Sequence, residues 1–237
     1  MSNPAGTLCL VGGDEWTDPC RSFDERLLAA SGASEVVVLP TAAAFEHPDR
    51  AVERAQAYFD ELGVPARGLS VLNRRDAEAD QNVRVIRSAR FVYIADGSPL
   101  HLRSVLKSSE LYGALAYAYE RGAAVAASGA SATVFGDPMV DPRGGAYTVG
   151  LGLAPGIAIF PYHGRTADHL RERSVDLLAA KAVLLGVDEQ TALVRDGVGD
   201  WDVVGKGRAT IYRKGAKPKT VKAGGTLPPL DAAVTTR

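Results

Sequence analysis

The chain has 237 residues, of which 46% are hydrophobic and 23% charged, with a formal net charge of −1. This length allows one large domain or two small ones, and the near-neutral charge argues against nucleic acid or an anionic membrane as a partner. The two cysteines are too few for a disulfide framework. No segment approaches the roughly 20 apolar residues of a membrane span. Because the N-terminus lacks the layout of a signal peptide, we expect a cytoplasmic protein.

Short β-branched segments alternate with longer amphipathic ones over most of the chain. Strands are predicted at 7–11, 35–39, 68–72, 91–95, 123–127 and 157–160. Helices are predicted at 23–30, 48–62, 100–121, with a break near 108–109, and 167–183. This alternation of apolar strands and amphipathic helices predicts a parallel sheet that is covered by helices on both faces.

The pattern changes after residue 184. Short strands are predicted at 184–187, 191–194, 202–204 and 209–212, separated by glycine-rich turns. These strands indicate an antiparallel meander at one edge of the sheet, followed by a loosely attached tail from Lys214. We expect residues 1–237 to form a single domain, and the apolar surface at the sheet edge is compatible with a homodimer.

In an open α/β sheet, ligands bind at the carboxyl ends of the strands, so the turns after the strands are the first place to look for chemistry. In the first of these turns, Asp14 and Glu15 are predicted to be solvated. His47, His101 and His169 are predicted to be surface or helix-capping residues. No group of His, Cys and Asp has the spacing of a metal site, and no dinucleotide fingerprint is present, so we expect neither a metal nor a cofactor.

The fifth predicted strand ends in a run of small residues. Residues 122–133 read GAAVAASGASAT, a strand followed by a tight turn and a helix. A nucleophile elbow needs small neighbours, because they let the chain turn sharply and lift a side chain above the sheet. Taken alone, residues 129–131 match an elbow only weakly, and an ordinary turn with a hydroxyl that caps the helix explains them better.

Three other segments belong with this turn: the strand and turn at 91–99, GLGLAPG at 150–156 with the strand after it, and GVDEQTAL at 186–193. Together with the turn, they resemble the cyanophycinase and dipeptidase E family of serine peptidases. In the family they supply oxyanion-hole amides, lead to the histidine, and carry the G-I-D-E-x-T-A-L signature. The resemblance covers about residues 7–212. It implies a class I glutamine amidotransferase-like fold, a three-layer α/β sandwich with a mostly parallel sheet and an antiparallel C-terminal edge.

The resemblance also exposes departures at the catalytic positions. The nucleophile position reads Gly129, the histidine position reads Tyr162, and the first glycine of the oxyanion turn reads Asp96. Only the acidic segment, Asp188 and Glu189, is intact. Glycine cannot attack a carbonyl, tyrosine with an ordinary pKa near 10 is a poor base, and an aspartate opposes charge that develops at an oxyanion.

Two hypotheses follow. The first is a degenerate family member, without metal or cofactor, that binds a small peptide or amino-acid-like ligand or catalyses another reaction. Its predicted pocket consists of Gly129, Tyr162, Asp96, Gly97, Ser98, Ala130 and Asp188.

The second hypothesis is an active serine hydrolase that cleaves acidic dipeptides or β-aspartyl bonds. It would use Ser131, His163 and Glu189, and would need local rearrangement because Ser131 and His163 are displaced from the family positions. The sequence also leaves two arrangements open at the turns. Tyr162 and Asp96 either approach each other over the elbow, or Tyr162 packs outward while Asp96 caps the helix that starts at Pro99.

Overall fold

A computed structural model describes residues 5–166, 168–197 and 199–230. The strands are β1 Thr7–Val11, β2 Val36–Leu39, β3 Ala66–Gly68, β4 Phe91–Ile94, β5 Ala124–Ser128, β6 Gly136–Asp137, β7 Met139–Val140, β8 Tyr147–Thr148, β9 Ala154–Pro155, β10 Ile157–Phe160, β11 Val183–Val187, β12 Thr191–Asp196, β13 Asp202–Gly205, β14 Arg208–Tyr212 and β15 Lys219–Lys222. The helices are α1 Arg21–Ser31, α2 Pro48–Glu61, α3 Arg74–Ala77, α4 Asp80–Ser88, α5 Pro99–Leu106, α6 Glu110–Glu120, α7 Ala130–Phe135 and α8 Asp168–Leu177.

The largest sheet has seven strands in the spatial order β13-β12-β1-β5-β4-β2-β3. Strands β1 to β5 run parallel to one another, whereas β12 is antiparallel to β1 and β13 is antiparallel to β12. Strands β1, β2, β4 and β5 are buried along their whole length, as expected where both faces of a parallel sheet are covered. The mostly parallel sheet with an antiparallel edge that the sequence predicts is therefore confirmed.

Each face of this sheet has its own hydrophobic core. On one face, residues such as Leu10 and Ile94 pack with Leu102 of α5 and Leu115 of α6. On the other face, residues such as Val38 pack with side chains of α1 and α2. Alternate residues of one strand point to opposite faces, so every buried strand supplies both cores. The result is a sandwich with one sheet between two layers of helices.

A second sheet departs from the predicted meander. It has the order β10-β11-β14-β15, with β10 parallel to β11 and the other pairs antiparallel. The C-terminal strands are thus divided between two sheets rather than forming one edge, and the strand at 157–160 does not belong to the main sheet. The prediction of a loose tail from Lys214 is wrong up to residue 230, because β15 pairs with β14 and Leu227 is buried. Residues 231–237 lie outside the described residues.

Several predicted boundaries also move. The third strand ends at Gly68 rather than continuing to residue 72, and the helix predicted at 167–183 ends at Leu177. Its predicted first residue, Ala167, lies outside the described residues. The predicted break near 108–109 is confirmed, because Ser108 has a φ of 58° and the side chain of Ser109 caps α6. In the part of the chain that the structure describes, no helix combines the length and the apolar character needed to cross a membrane.

Candidate functional site

The turn between β5 and α7 has the sharp strand-to-helix backbone that a nucleophile elbow needs, with glycine at residue 129. Gly129 joins the strand to the helix with φ 54° and ψ −133°, in the region of positive φ that a side chain adopts only with strain. Such a sharp strand-to-helix turn would lift a side chain at this position above the carboxyl edge of the sheet. Glycine leaves that position empty, so the elbow presents only backbone.

The carboxylate of Asp96 accepts hydrogen bonds from backbone amides in two turns at the carboxyl edge of the sheet. Its Oδ1 accepts hydrogen bonds from the backbone amides of Gly97, at 2.6 Å, and Ala130, at 2.8 Å. An oxyanion hole uses the amide that follows the nucleophile together with an amide from a neighbouring turn. In this chain, the amide that follows Gly129 and the amide of Gly97 in the turn after β4 both donate to the protein's own side chain.

Tyr162 closes the space above the elbow from the other side. A Cβ built on Gly129 would lie 2.2 Å from Oδ2 of Asp96 and 2.3 Å from the hydroxyl oxygen of Tyr162. The tyrosine ring lies against Gly13, where an added Cβ would be 2.2 Å from Cε1 of the ring. The Tyr162 amide also donates to the carbonyl of Gly12, at 2.7 Å. The tyrosine therefore points into the site, and it needs the Gly12-Gly13 turn to do so.

Burial and a second carboxylate perturb Asp96. Burial, reinforced by the charge of Glu15, raises the pKa of Asp96 to about 7, against the opposing effect of the two amide hydrogen bonds. Glu15 is itself only 4% exposed, and its Oε2 accepts a hydrogen bond from Ser128, at 2.9 Å. The expectation that Glu15 is solvated is therefore wrong, because its side chain is buried and hydrogen-bonded to Ser128 at the end of β5. Asp14 next to it is exposed, as expected.

The three residues of the displaced triad have other partners. Ser131 is fully buried, and its hydroxyl donates to the carbonyl of Ala95, at 2.7 Å. Nδ1 of His163 lies 3.3 Å from Asp188 and its Nε2 lies 2.7 Å from the hydroxyl of Tyr212. Among the described residues, no hydrogen bond joins Ser131, His163 and Glu189 to one another.

Glu189 and the remaining predicted pocket residues lie around this centre. Glu189 pairs with Arg165, with N–O distances of 2.9 and 3.1 Å. Ser98, rather than Asp96, caps α5, because its hydroxyl accepts from the amide of His101. Asp188 contacts Nδ1 of His163, at 3.3 Å.

The cavities beside Tyr162 differ in character. One, of about 510 Å³, is lined by charged residues that include Glu15, Glu46, Asp96 and Glu189. The other, of about 200 Å³, is lined largely by apolar residues and reaches Ala130 at the start of α7. Tyr162 lines both, so it divides a cleft at the carboxyl edge of the sheet into a charged half and an apolar half.

Of the remaining histidines, His47 precedes α2 and also borders the charged half. His101 bonds through Nε2 to the carbonyl of Leu72, at 2.8 Å, and His169 is exposed on α8. Within the described residues, no group of three or more His, Cys, Asp and Glu side chains is arranged to hold a metal ion.

With this geometry established, comparison with known proteins assigns the family. The model of Peptidase family S51 matches residues 8–199. The chain belongs to this family. Among family S51 relatives, the cyanophycinases of Nostoc sp. and Trichormus variabilis are each 25% identical to it over 230 residues, covering 89% of this chain and 76% of theirs.

A solved structure supports the same assignment. The crystal structure of a peptidase from an acI-B1 Actinobacterium matches with a TM-score of 0.85 and 26% identity, covering 96% of this chain and 98% of that one. The predicted resemblance to the cyanophycinase and dipeptidase E family and its fold is therefore confirmed. Within family S51, this chain carries Gly129, Tyr162 and Asp96 at the three turns described above.

Proposed function

We propose that this member of family S51 does not cleave peptides through an activated serine, and that its cleft binds a small peptide or an amino-acid-like ligand. A reaction other than acyl transfer to serine is compatible with the same cleft. The proposal rests on one observation, the position of the Asp96 carboxylate between the amides of Gly97 and Ala130.

The position of Asp96 opposes acyl transfer in two ways. A substrate carbonyl oxygen would have to displace Oδ1 from both amides before it could use them. A carboxylate left beside the developing oxyanion would then repel it, and electrostatic stabilisation is usually the largest contribution to this type of catalysis. Gly129 supplies no hydroxyl to replace the missing nucleophile. The site is therefore better suited to holding a ligand than to attacking one.

The alternative, a hydrolase that uses Ser131, His163 and Glu189, has less support. The Ser131 hydroxyl is buried and donates to a backbone carbonyl, which holds its proton away from any base. Burial lowers the pKa of His163, although its contact with Asp188 opposes the change, and both ring nitrogens of His163 have partners away from Ser131. Hydrolysis by this route would require both side chains to leave their present contacts.

A hydrolysis assay separates the two functions. Acidic dipeptides and β-aspartyl dipeptides are incubated with the wild-type chain and with Ser131→Ala, and the products are measured by mass spectrometry. We expect no hydrolysis above the buffer blank. The matched control is Ser31→Ala, which removes another buried serine hydroxyl, one that donates to the carbonyl of Leu28 and does not line the cleft. Hydrolysis that Ser131→Ala abolishes and Ser31→Ala retains would overturn the proposal and establish the alternative.

A further inference from the structure

The apolar half of the cleft has the size and the lining of a side-chain site. Its volume is about 200 Å³. An apolar cavity of roughly 150 Å³ is large enough to bind benzene. The apolar side chains that form most of its lining come from the start of α5, strand β7 and the turn after it, the end of β10 and helix α8: Pro99, Val140, Pro142, Phe160, Pro161 and Leu170.

The two threonines on this lining are already engaged within the protein. The hydroxyl of Thr133 donates to the carbonyl of Ala130, and the hydroxyl of Thr166 donates to the carbonyl of Tyr162, at 3.1 Å. Because these protons are used, the threonines offer no free donor to a buried polar group of a ligand. A ligand group that enters the cavity can gain mainly from removal of apolar surface from water.

The charges around the cavity disfavour an acidic side chain. None of the described residues that line it is a lysine, an arginine or a histidine. Asp141 does line it, and hydrogen bonds from Arg143 lower the pKa of Asp141 to about 2, so this carboxylate is ionised at neutral pH. A ligand carboxylate in this cavity would lose its water and find no cation among the lining residues, since the guanidinium of Arg143 is already paired with Asp141.

We infer that this cavity binds an uncharged, apolar side chain between leucine and phenylalanine in size. This side chain belongs to the ligand whose polar groups contact Tyr162. The inference rests on the proposed function for the placement of the ligand's polar groups. It assigns to this chain a preference opposite to that of a hydrolase for acidic dipeptides. Tyr162 and Ala130 line the cavity where it reaches the elbow, so a side chain placed there stays connected to a peptide group beside the tyrosine hydroxyl.

Three capped amino acids that differ only in the side chain test the preference. N-acetyl-leucinamide, N-acetyl-alaninamide and the N-acetyl α-amide of aspartic acid are titrated into ¹⁵N-labelled wild-type protein, and amide shifts are followed by NMR. We expect the leucine derivative to bind at least about tenfold more tightly than the alanine derivative, because its side chain buries several more carbon atoms. We expect the aspartate derivative to produce no saturable shifts around the cavity. Equal or tighter binding of the aspartate derivative would overturn the inference.

Two substitutions on α8 place the binding in this cavity. Leu170→Trp fills the cavity, whereas Leu177→Trp adds the same side chain at a position that is 49% exposed and does not line it. We expect Leu170→Trp to weaken binding of the leucine derivative at least about tenfold and Leu177→Trp to leave its affinity unchanged. Equal affinity in a folded Leu170→Trp protein would refute the location. If Leu170→Trp does not fold, the positions of the shifted amides in the wild-type titration decide the location.

The titration measures binding and involves no turnover. Failure of this inference can therefore be distinguished from failure of the proposed function. Hydrolysis through Ser131 would refute the proposed function while the titration still reports which side chain the cavity prefers. A preference for the aspartate derivative in a chain that hydrolyses nothing would refute the inference alone.

Discussion

Replacing Asp96 by asparagine tests the electrostatics of the site through stability. The substitution keeps an oxygen that can accept from the amides of Gly97 and Ala130, but it removes the ionisable group. Since the wild-type carboxyl is buried and lies close to Glu15, its charge has an energetic cost that an amide does not have, and the hydrogen bonds from the two backbone amides offset that cost only in part. The variant should therefore differ from the wild type mainly where Asp96 is ionised.

The size of the effect follows from the change in pKa on folding. The pKa of Asp96 rises from an ordinary value of 3.8 to about 7, and each pKa unit corresponds to about 1.36 kcal/mol. The ionised form in the folded protein is thus disfavoured by up to about 4 kcal/mol. The folded state holds this proton more tightly than the unfolded chain. The stability associated with it is therefore fully present below pH 3.8 and is lost as the pH rises to about 7.

Urea denaturation of the wild type and Asp96→Asn between pH 4 and pH 8.5 measures this difference. We expect the variant to gain in free energy of unfolding relative to the wild type, by up to about 4 kcal/mol, as the pH rises to about 7, with little further change above it. Asp14→Asn is the matched control, because Asp14 is an exposed carboxylate on the same cleft, and its difference from wild type should stay nearly constant. The reasoning would be refuted if the difference in free energy of unfolding between Asp96→Asn and the wild type did not change with pH. It would also be refuted if the wild type became more stable relative to the variant towards alkaline pH.

Two further predictions concern the elbow and the buried carboxyl group of Asp24. In the double variant Gly129→Ser with Tyr162→His, Oδ2 of Asp96 remains 2.2 Å from the position of the new Cβ. Adding Asp96→Gly should therefore raise the rate of peptide hydrolysis by about 10²-fold over the double variant. Equal rates in the two variants would show that the carboxylate does not block the site. Tyr58→Phe removes the hydroxyl that donates, at 2.9 Å, to the fully buried Asp24. It should lower the free energy of unfolding, measured by urea denaturation, by about 1–3 kcal/mol. A loss below about 0.5 kcal/mol would contradict a stabilising role for this hydrogen bond.

The sequence predicts the main sheet because its strands carry a local signal. Apolar β-branched runs and helix-starting residues such as Pro48, Pro99 and Ser109 mark where elements begin. The division of the C-terminal strands between two sheets has no such signal, because pairing of β10 with β11 depends on contacts between distant parts of the chain. The two helices at Arg74–Ala77 and Asp80–Ser88 were not predicted either, since the first has only 4 residues and the second, DQNVRVIRS, is mostly polar.

At the site, the resemblance to the family locates the three turns, and the structure adds what occupies them. Glycine at position 129 is visible in the sequence, but the direction of the Asp96 carboxyl group is set by amides from two different turns. Burial of Glu15 depends on Ser128, which lies 113 residues further along the chain. Residue types at strand ends therefore identify a site, whereas the contacts that satisfy or block its donors arise only on folding.

The proposal that this chain has no activated serine is tested most directly by reaction with a fluorophosphonate. This reagent modifies an activated serine hydroxyl covalently and leaves ordinary serines unmodified, so intact-mass spectrometry reports the outcome without any assumption about the substrate. We expect the mass of the wild-type chain to remain unchanged under conditions that fully label an active serine hydrolase in the same tube. A stoichiometric adduct, mapped to Ser131 and lost in Ser131→Ala, would contradict this account.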